Sequence, residues 1–127
     1  RTGAVMTNNQ SFSDSFIAIA KETGELAKLA REGKLKPDQM QGASFTISSL
    51  GGIGGTYFAP IINAPEVAIL GVNKASMKPV WDGKQFVPKL ICPLSLTADH
   101  RVIDGALAAE FLQALKRNIE DPLSLML

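Results

Sequence analysis

The order of elements in this sequence predicts an α+β fold with a largely non-parallel sheet. Three observations predict it. An apolar stripe at helical spacing runs through the first quarter of the chain, and a second one runs close to the end. Between them lies a block of short alternating or apolar runs, broken by Gly and Pro at the intervals expected of strands and turns. Strands gathered between helices, rather than alternating with them, argue against a doubly wound parallel sheet.

The first helix is expected from about Ser13 to Glu32. Phe16, Ile19, Ala20, Leu26, Ala27 and Ala30 form its stripe, Ser13 is the candidate N-cap and Gly33 the stop. Gly24 inside it costs about 1 kcal/mol relative to Ala. Pro37-Asp38 marks a turn. In "ASFTISSLGG", Phe45 and Ile47 alternate with Ser44, Thr46 and Ser48, the pattern of a half-buried strand that runs into a glycine loop, Gly51 to Gly55. "VAILGVN" reads as a buried strand. Asp82-Gly83 between "KPVW" and "KQFVP" predicts a hairpin with a type I′ turn. "KLICPLSLTAD" places Leu90, Cys92, Leu94 and Leu96 on one face, with Pro93 at an edge or bulge. The last helix carries Leu107, Phe111, Leu115 and Ile119 four residues apart, widened by Leu112. Asp104 is its N-cap and Asp121-Pro122 its end. Residues 1–14 are polar and rich in Asn, Gln and Ser, and read as a loosely ordered lead-in to a single domain over 15–127.

Composition narrows the function. The 127 residues are 46% hydrophobic and 20% charged, the balance of a water-soluble globular domain. No apolar run approaches the roughly 20 residues of a membrane span, so no membrane partner is expected. Thirteen basic against 12 acidic side chains leave a net charge of +1, which argues against nucleic acid as a partner. The cluster Lys28, Arg31, Lys34 and Lys36 reads as a solvated helix face. A single cysteine, Cys92, excludes an internal disulfide framework, and one Cys with one His is too few for a structural zinc site, so no metal is expected. Cys92 itself reads as a small core side chain.

The chemistry-bearing residues gather at two places. The sole histidine, His100, lies at a strand-to-helix junction in "DHRVIDG". An imidazole, ordinarily with a pKa of about 6.5, can take a proton from a thiol at neutral pH. Asp104 has a plain role as a helix cap, and an ion pair of Asp99 or Asp104 with Arg101 would hold the histidine turn still. At the other place, "SSLGGIGG" has no Gly-Lys-Ser/Thr and is not a nucleotide loop. Its plainer reading is a wide turn, with Ser48 and Ser49 able to donate hydrogen bonds to a developing oxyanion.

At "DHRVIDG" the sequence resembles the catalytic domain of the dihydrolipoamide acyltransferases of 2-oxo-acid dehydrogenase complexes, whose signature is His-x-x-x-Asp-Gly near the C-terminus. "ELAKLAREGKLKPDQMQG", "FTISSLGGIGG", "APIINAPEVAILGV", "KPVWDGKQFVP" and "LSLTADHRVIDG" resemble the family in the same order. "FAPIINAPEVAILGV" followed by "KPVWDG" is most similar to the acetyltransferases of the pyruvate dehydrogenase branch.

The resemblance implies a chloramphenicol-acetyltransferase-like mixed sheet with flanking helices, of which residues 15–127 would be the C-terminal half and 1–14 a poorly matched lead-in. It implies acetyl transfer between CoA and a dihydrolipoyl thiol, the lipoyl group being supplied by a separate domain. His100 would be the base, Ser48 the oxyanion donor and Asp104 the support of the histidine turn. Ser48, Ser49 and Gly52 would lie at the coenzyme. The implied partners are two further copies in a homotrimer, a higher cage, the lipoyl domain and the other components of the complex. In the family, serine and histidine of one site come from different subunits. The compartment would be the cytoplasm in a bacterium or the mitochondrial matrix in a eukaryote. The competing reading is a truncated, catalytically inactive module that only assembles.

Overall fold

The computed structural model describes residues 3–4, 16–51, 53 and 55–121. Ser13, Gly52, nearly all of the lead-in and the C-terminal "PLSLML", an apolar tail that would favour self-association, lie outside the described residues. In chain order the elements are β1 (Gly3–Ala4), α1 (Phe16–Arg31), a 3-10 turn (Pro37–Met40), β2 (Thr46–Ser49), β3 (Ala68–Val72), β4 (Ser76–Trp81), β5 (Phe86–Ile91), β6 (Leu94–Ala98) and α2 (Gly105–Glu120). This is the expected α+β succession of helix, strands and helix.

The strands form two sheets. One is four-stranded and mixed, in the order β1-β2-β3-β6, and the other is the β4–β5 hairpin. β2 runs parallel to β3, while β1 and β6 are antiparallel to their neighbours. The centre is β3, where Ala68, Ile69 and Leu70 are buried. A continuous apolar run suits a strand flanked on both edges and covered on both faces.

α1 stops where its sequence says it should. Gly33 takes a φ of +68°, the left-handed geometry that glycine adopts without a Cβ clash. Lys34 N–H donates to Leu29 O at 2.9 Å and Gly33 N–H to Ala30 O at 3.2 Å, the paired bonds of a Schellman ending. α2 is tied to the sheet by Phe111, whose ring lies 5.7 Å from that of Phe45 just before β2. Its expected stripe is only partly covered. Leu112 and Leu115 are half-buried, whereas Leu107, Phe111 and Ile119 remain exposed.

Three expectations are corrected. The hairpin turn is not type I′, which needs two consecutive positive φ values. Only Gly83 has one; four residues, Asp82 to Gln85, make the loop. Asp82 Oδ1 closes it by accepting from the N–H groups of Lys84 at 2.8 Å and Gln85 at 2.9 Å, bonds that also lower its pKa. The long strand "KLICPLSLTAD" is two strands, because the chain leaves the hairpin at Cys92-Pro93 and enters the larger sheet at Leu94. Cys92 is therefore exposed at a junction rather than packed in a core, with its Sγ donating to Asn73 O at 3.4 Å.

Candidate active site

The histidine turn is built by its neighbours. Asp99 N–H continues the ladder beyond β6 by donating to Val67 O at 2.8 Å, and Asp99 O accepts from Val102 N–H at 3.0 Å and Ile103 N–H at 2.9 Å. The Asp99 carboxylate also binds three N–H groups of Arg101. Oδ1 accepts from the Arg101 backbone N–H at 3.0 Å and from Nε at 2.9 Å, and Oδ2 accepts from Nη2 at 2.6 Å. These side-chain and backbone bonds from Arg101 hold the Asp99 carboxyl down at about 2 and raise the guanidinium pKa in turn. Of the two ion pairs the sequence allowed, Asp99–Arg101 is the one formed. His100 sits at the crest of this turn, exposed, with no side-chain hydrogen bond among the described residues. A brace on either side with the imidazole left open suits a group that meets a substrate.

Asp104 closes the turn. It is the N-cap of α2, with Oδ1 accepting from Leu107 N–H at 2.8 Å. Its carboxylate is committed to the helix, so its contribution to His100 is to fix where the turn ends.

Ser48 and Ser49 lie at the far end of β2, where Ser48 is half-buried and Ser49 exposed. Ser49 Oγ accepts from Gly51 N–H at 3.2 Å, and Gly51 has a φ of +57°. Ser49 thus shapes the loop, while the Ser48 hydroxyl makes no hydrogen bond among the described residues. Gly52, the expected third coenzyme contact, lies outside the described residues.

The sheet register does not bring Ser48 and His100 together within one chain. Ser48 is level with Gly71, and Gly71 with Ser95. His100 comes five residues after Ser95, two strands away from Ser48. At the usual strand rise and spacing, the two Cα atoms are roughly 15–20 Å apart. Side chains standing perpendicular to a sheet cannot close that gap.

Sequence reasoning missed Asn73. It is one of two buried polar residues among the described ones, 6% exposed, and its side chain joins three segments. Oδ1 accepts from Phe58 N–H at 2.9 Å, and Nδ2 donates to Pro93 O at 3.1 Å and Ser95 Oγ at 2.9 Å. The signal available in the sequence was an amide residue directly ending the apolar run "VAILGV".

Comparison with known proteins places this geometry. The family model described as 2-oxoacid dehydrogenases acyltransferase (catalytic domain) matches residues 6–127. The dihydrolipoyllysine-residue acetyltransferase component of the pyruvate dehydrogenase complex of Cupriavidus necator is 74% identical over 95 residues, which are 75% of this chain and 17% of that protein. A solved structure of Azotobacter vinelandii dihydrolipoamide acetyltransferase, from work on the role of a serine, a histidine and an asparagine in its catalytic mechanism, is 61% identical with a TM-score of 0.84. The match covers 91% of this chain and 47% of that one. The structure of the cubic core of a pyruvate dehydrogenase multienzyme complex is 60% identical, again with a TM-score of 0.84 and the same coverage. The chain therefore spans about half the length of these solved chains, and less than a fifth of the full-length Cupriavidus protein. On this match along nearly its whole length, the chain belongs to the 2-oxoacid dehydrogenase acyltransferase family, through that family's catalytic domain.

Proposed function

We propose that this chain carries both halves of an acetyl-transfer centre, moving an acetyl group between CoA and a dihydrolipoyl thiol in the core of a pyruvate dehydrogenase-type complex. One observation carries the assignment of residues. The serine, histidine and asparagine studied in the Azotobacter enzyme are spaced by 52 and then 4 positions, and so are Ser48, His100 and Asp104 here. The one change, Asp for Asn, falls on a residue whose work is capping a helix, for which the two side chains are nearly equivalent.

The chemistry follows from what each side chain can do. The open imidazole of His100 takes the proton of the acceptor thiol, and the thiolate attacks the carbonyl carbon of the acetyl thioester. Ser48 Oγ–H donates to the oxygen that becomes negative. The tetrahedral adduct collapses, the C–S bond to the donor breaks, and the departing thiolate takes up that proton from the imidazolium. No metal or redox step is needed. CoA and the lipoyl arm are substrates, the second borne by a separate domain.

The separation of Ser48 from His100 supports a site shared between copies, as in a homotrimer of chloramphenicol-acetyltransferase-like subunits within a larger cage, with the lipoyl domain and the other enzymes of the complex as partners. The hairpin supports assembly as well. Its face made of Met77, Pro79, Trp81, Phe86, Pro88 and Leu90 is apolar and exposed throughout, and a two-stranded hairpin left uncovered is marginal in water. The compartment consistent with this role is the cytoplasm of a bacterium or the mitochondrial matrix.

The test is acetyl transfer from acetyl-CoA to dihydrolipoamide by the intact protein that contains this chain. His100→Ala lowers turnover by about 10²–10⁴-fold and leaves the KM for acetyl-CoA nearly unchanged, since proton removal belongs to the transition state. Unchanged turnover would refute the assignment. An assembled but inactive unsubstituted protein would favour the structural-module reading.

A further inference from the structure

The described part of the segment that follows Ser48 is tied to the sheet. After Gly55 it returns across the sheet as a strap, and three features fix it there. Phe58 N–H is held by Asn73 Oδ1 at 2.9 Å. The Phe58 ring and Pro60 lie over Gly71 so closely that a Cβ there would meet Phe58 Cζ at 3.1 Å and Pro60 Cδ at 3.3 Å. Asn73 is itself locked, because Nδ2 donates to both Pro93 O and Ser95 Oγ while its backbone N–H donates to Pro93 O at 3.0 Å.

The register says which face this is. Ser48 pairs with Gly71 and Gly71 with Ser95, so all three point to one side of the sheet. Asn73, two residues beyond Gly71, is bonded to Ser95 on that side. The absent side chain of Gly71 opens the space beside Ser48 that the Phe58 ring fills. A hydroxyl that must aim at a developing charge needs its neighbours fixed to within fractions of an ångström. A loop tied only at Ser49 would not provide that.

We infer that Asn73, with Gly71 and Phe58, is a positioning device for the Ser48 hydroxyl: Asn73 acts on the reaction through Ser48 and touches neither substrate. The inference rests on the reading of Ser48 as oxyanion donor. It requires that damage to the clamp matter only while Ser48 is present, which a general loss of structure would not show.

The experiment is a double-mutant cycle in the intact protein, measuring kcat and KM for acetyl transfer to dihydrolipoamide. Asn73→Ala lowers kcat by about tenfold in the Ser48 background with the KM for acetyl-CoA unchanged, and by less than about twofold in the Ser48→Ala background. Equal losses in both backgrounds, or no loss with Ser48 present, overturn the inference. A Ser48→Ala variant with full turnover removes the reading of Ser48 itself, a separate and recognisable failure. If Asn73→Ala does not fold, Gly71→Ala performs the same test without removing a hydrogen bond. It pushes the Phe58 ring outward, its kcat loss also depends on Ser48, and Phe58→Leu in the same chain restores the rate. A Gly71→Ala loss that persists without Ser48, or that Phe58→Leu leaves in place, counts against the clamp.

Discussion

The separation of Ser48 from His100 makes a quantitative demand. If each site takes its serine from one copy and its histidine from another, two inactive variants must complement one another. Consider Ser48→Ala and His100→Ala, mixed in equal amounts before assembly. A site is whole only where the copy supplying the serine is the His100→Ala variant and the copy supplying the histidine is the Ser48→Ala variant. Each condition holds for half of the copies, so about one quarter of the sites are restored, whatever the size of the closed ring. The background is far lower, because loss of the base costs about 10²–10⁴-fold and loss of an oxyanion donor about 10²–10³-fold. The assay is acetyl transfer after co-expression, or after joint refolding of the two variants. The structural warrant is the register that sets Ser48 level with Ser95, five residues before His100 and two strands away. A mixture no more active than its better parent would refute a shared site. It would then require a movement of one chain that brings together two ends of the same sheet.

Two further outcomes follow from the histidine turn. Asp104→Ala removes the acceptor of the Leu107 N–H bond and lowers stability by about 1 kcal/mol, whereas Asp104→Asn stays within a few tenths, as thermal unfolding will show; equal losses in the two would mean the carboxylate charge matters beyond the cap. The Asp99 carboxyl, held at about 2 against an ordinary 3.8, makes a contribution that is complete above about pH 4 and is lost as the pH falls towards 2. Arg101→Gln moves its midpoint, read by NMR titration, back up towards the ordinary value, and an unmoved midpoint would mean that Arg101 is not its cause.

How much of this was legible in the sequence depended on how local the signal was. The end of α1 was readable because Gly33 sets its own dihedral and the two closing bonds follow from it. The Asp104 cap was readable for the same reason, and the buried strand was plain in "VAILGV". The hairpin was found but its turn was misjudged. "DG" promised two positive φ angles, and the Asp82 side chain instead accepted two backbone N–H groups across a longer loop. The break at Cys92-Pro93 was hidden because alternation continues through it, while the partner strand changes from β4 to β3, a fact about tertiary pairing. Asn73 was out of reach on the same ground. Its bonds span 15 to 22 residues of sequence, and nothing in the local pattern tells a buried clamp from a polar strand end. At the candidate site the motif pointed to His100 and the resemblance to Ser48, with the expectation that the two come from different copies; the register adds how far apart they stand in one chain.

That distance has a structural cause. β3 carries the buried apolar residues and is flanked by β2 running parallel and β6 running antiparallel. Ser48 lies near the C-terminal end of β2, so it is placed towards one end of the sheet. His100 follows the C-terminal end of β6, and because β6 is reversed it is placed at the other. Each of the two residues then has its own local fittings: the Asn73–Phe58 clamp and the Ser49–Gly51 bond at one end, and the Asp99–Arg101 brace and the Asp104 cap at the other. Among the described residues no hydrogen bond joins the two sets, so the rigid sheet between them serves as a spacer. The length of β6 sets how far the histidine stands from the serine of the same chain. If the site is shared as proposed, the catalytic unit is the contact between copies, and the fold of one chain presents two unlike ends to its neighbours.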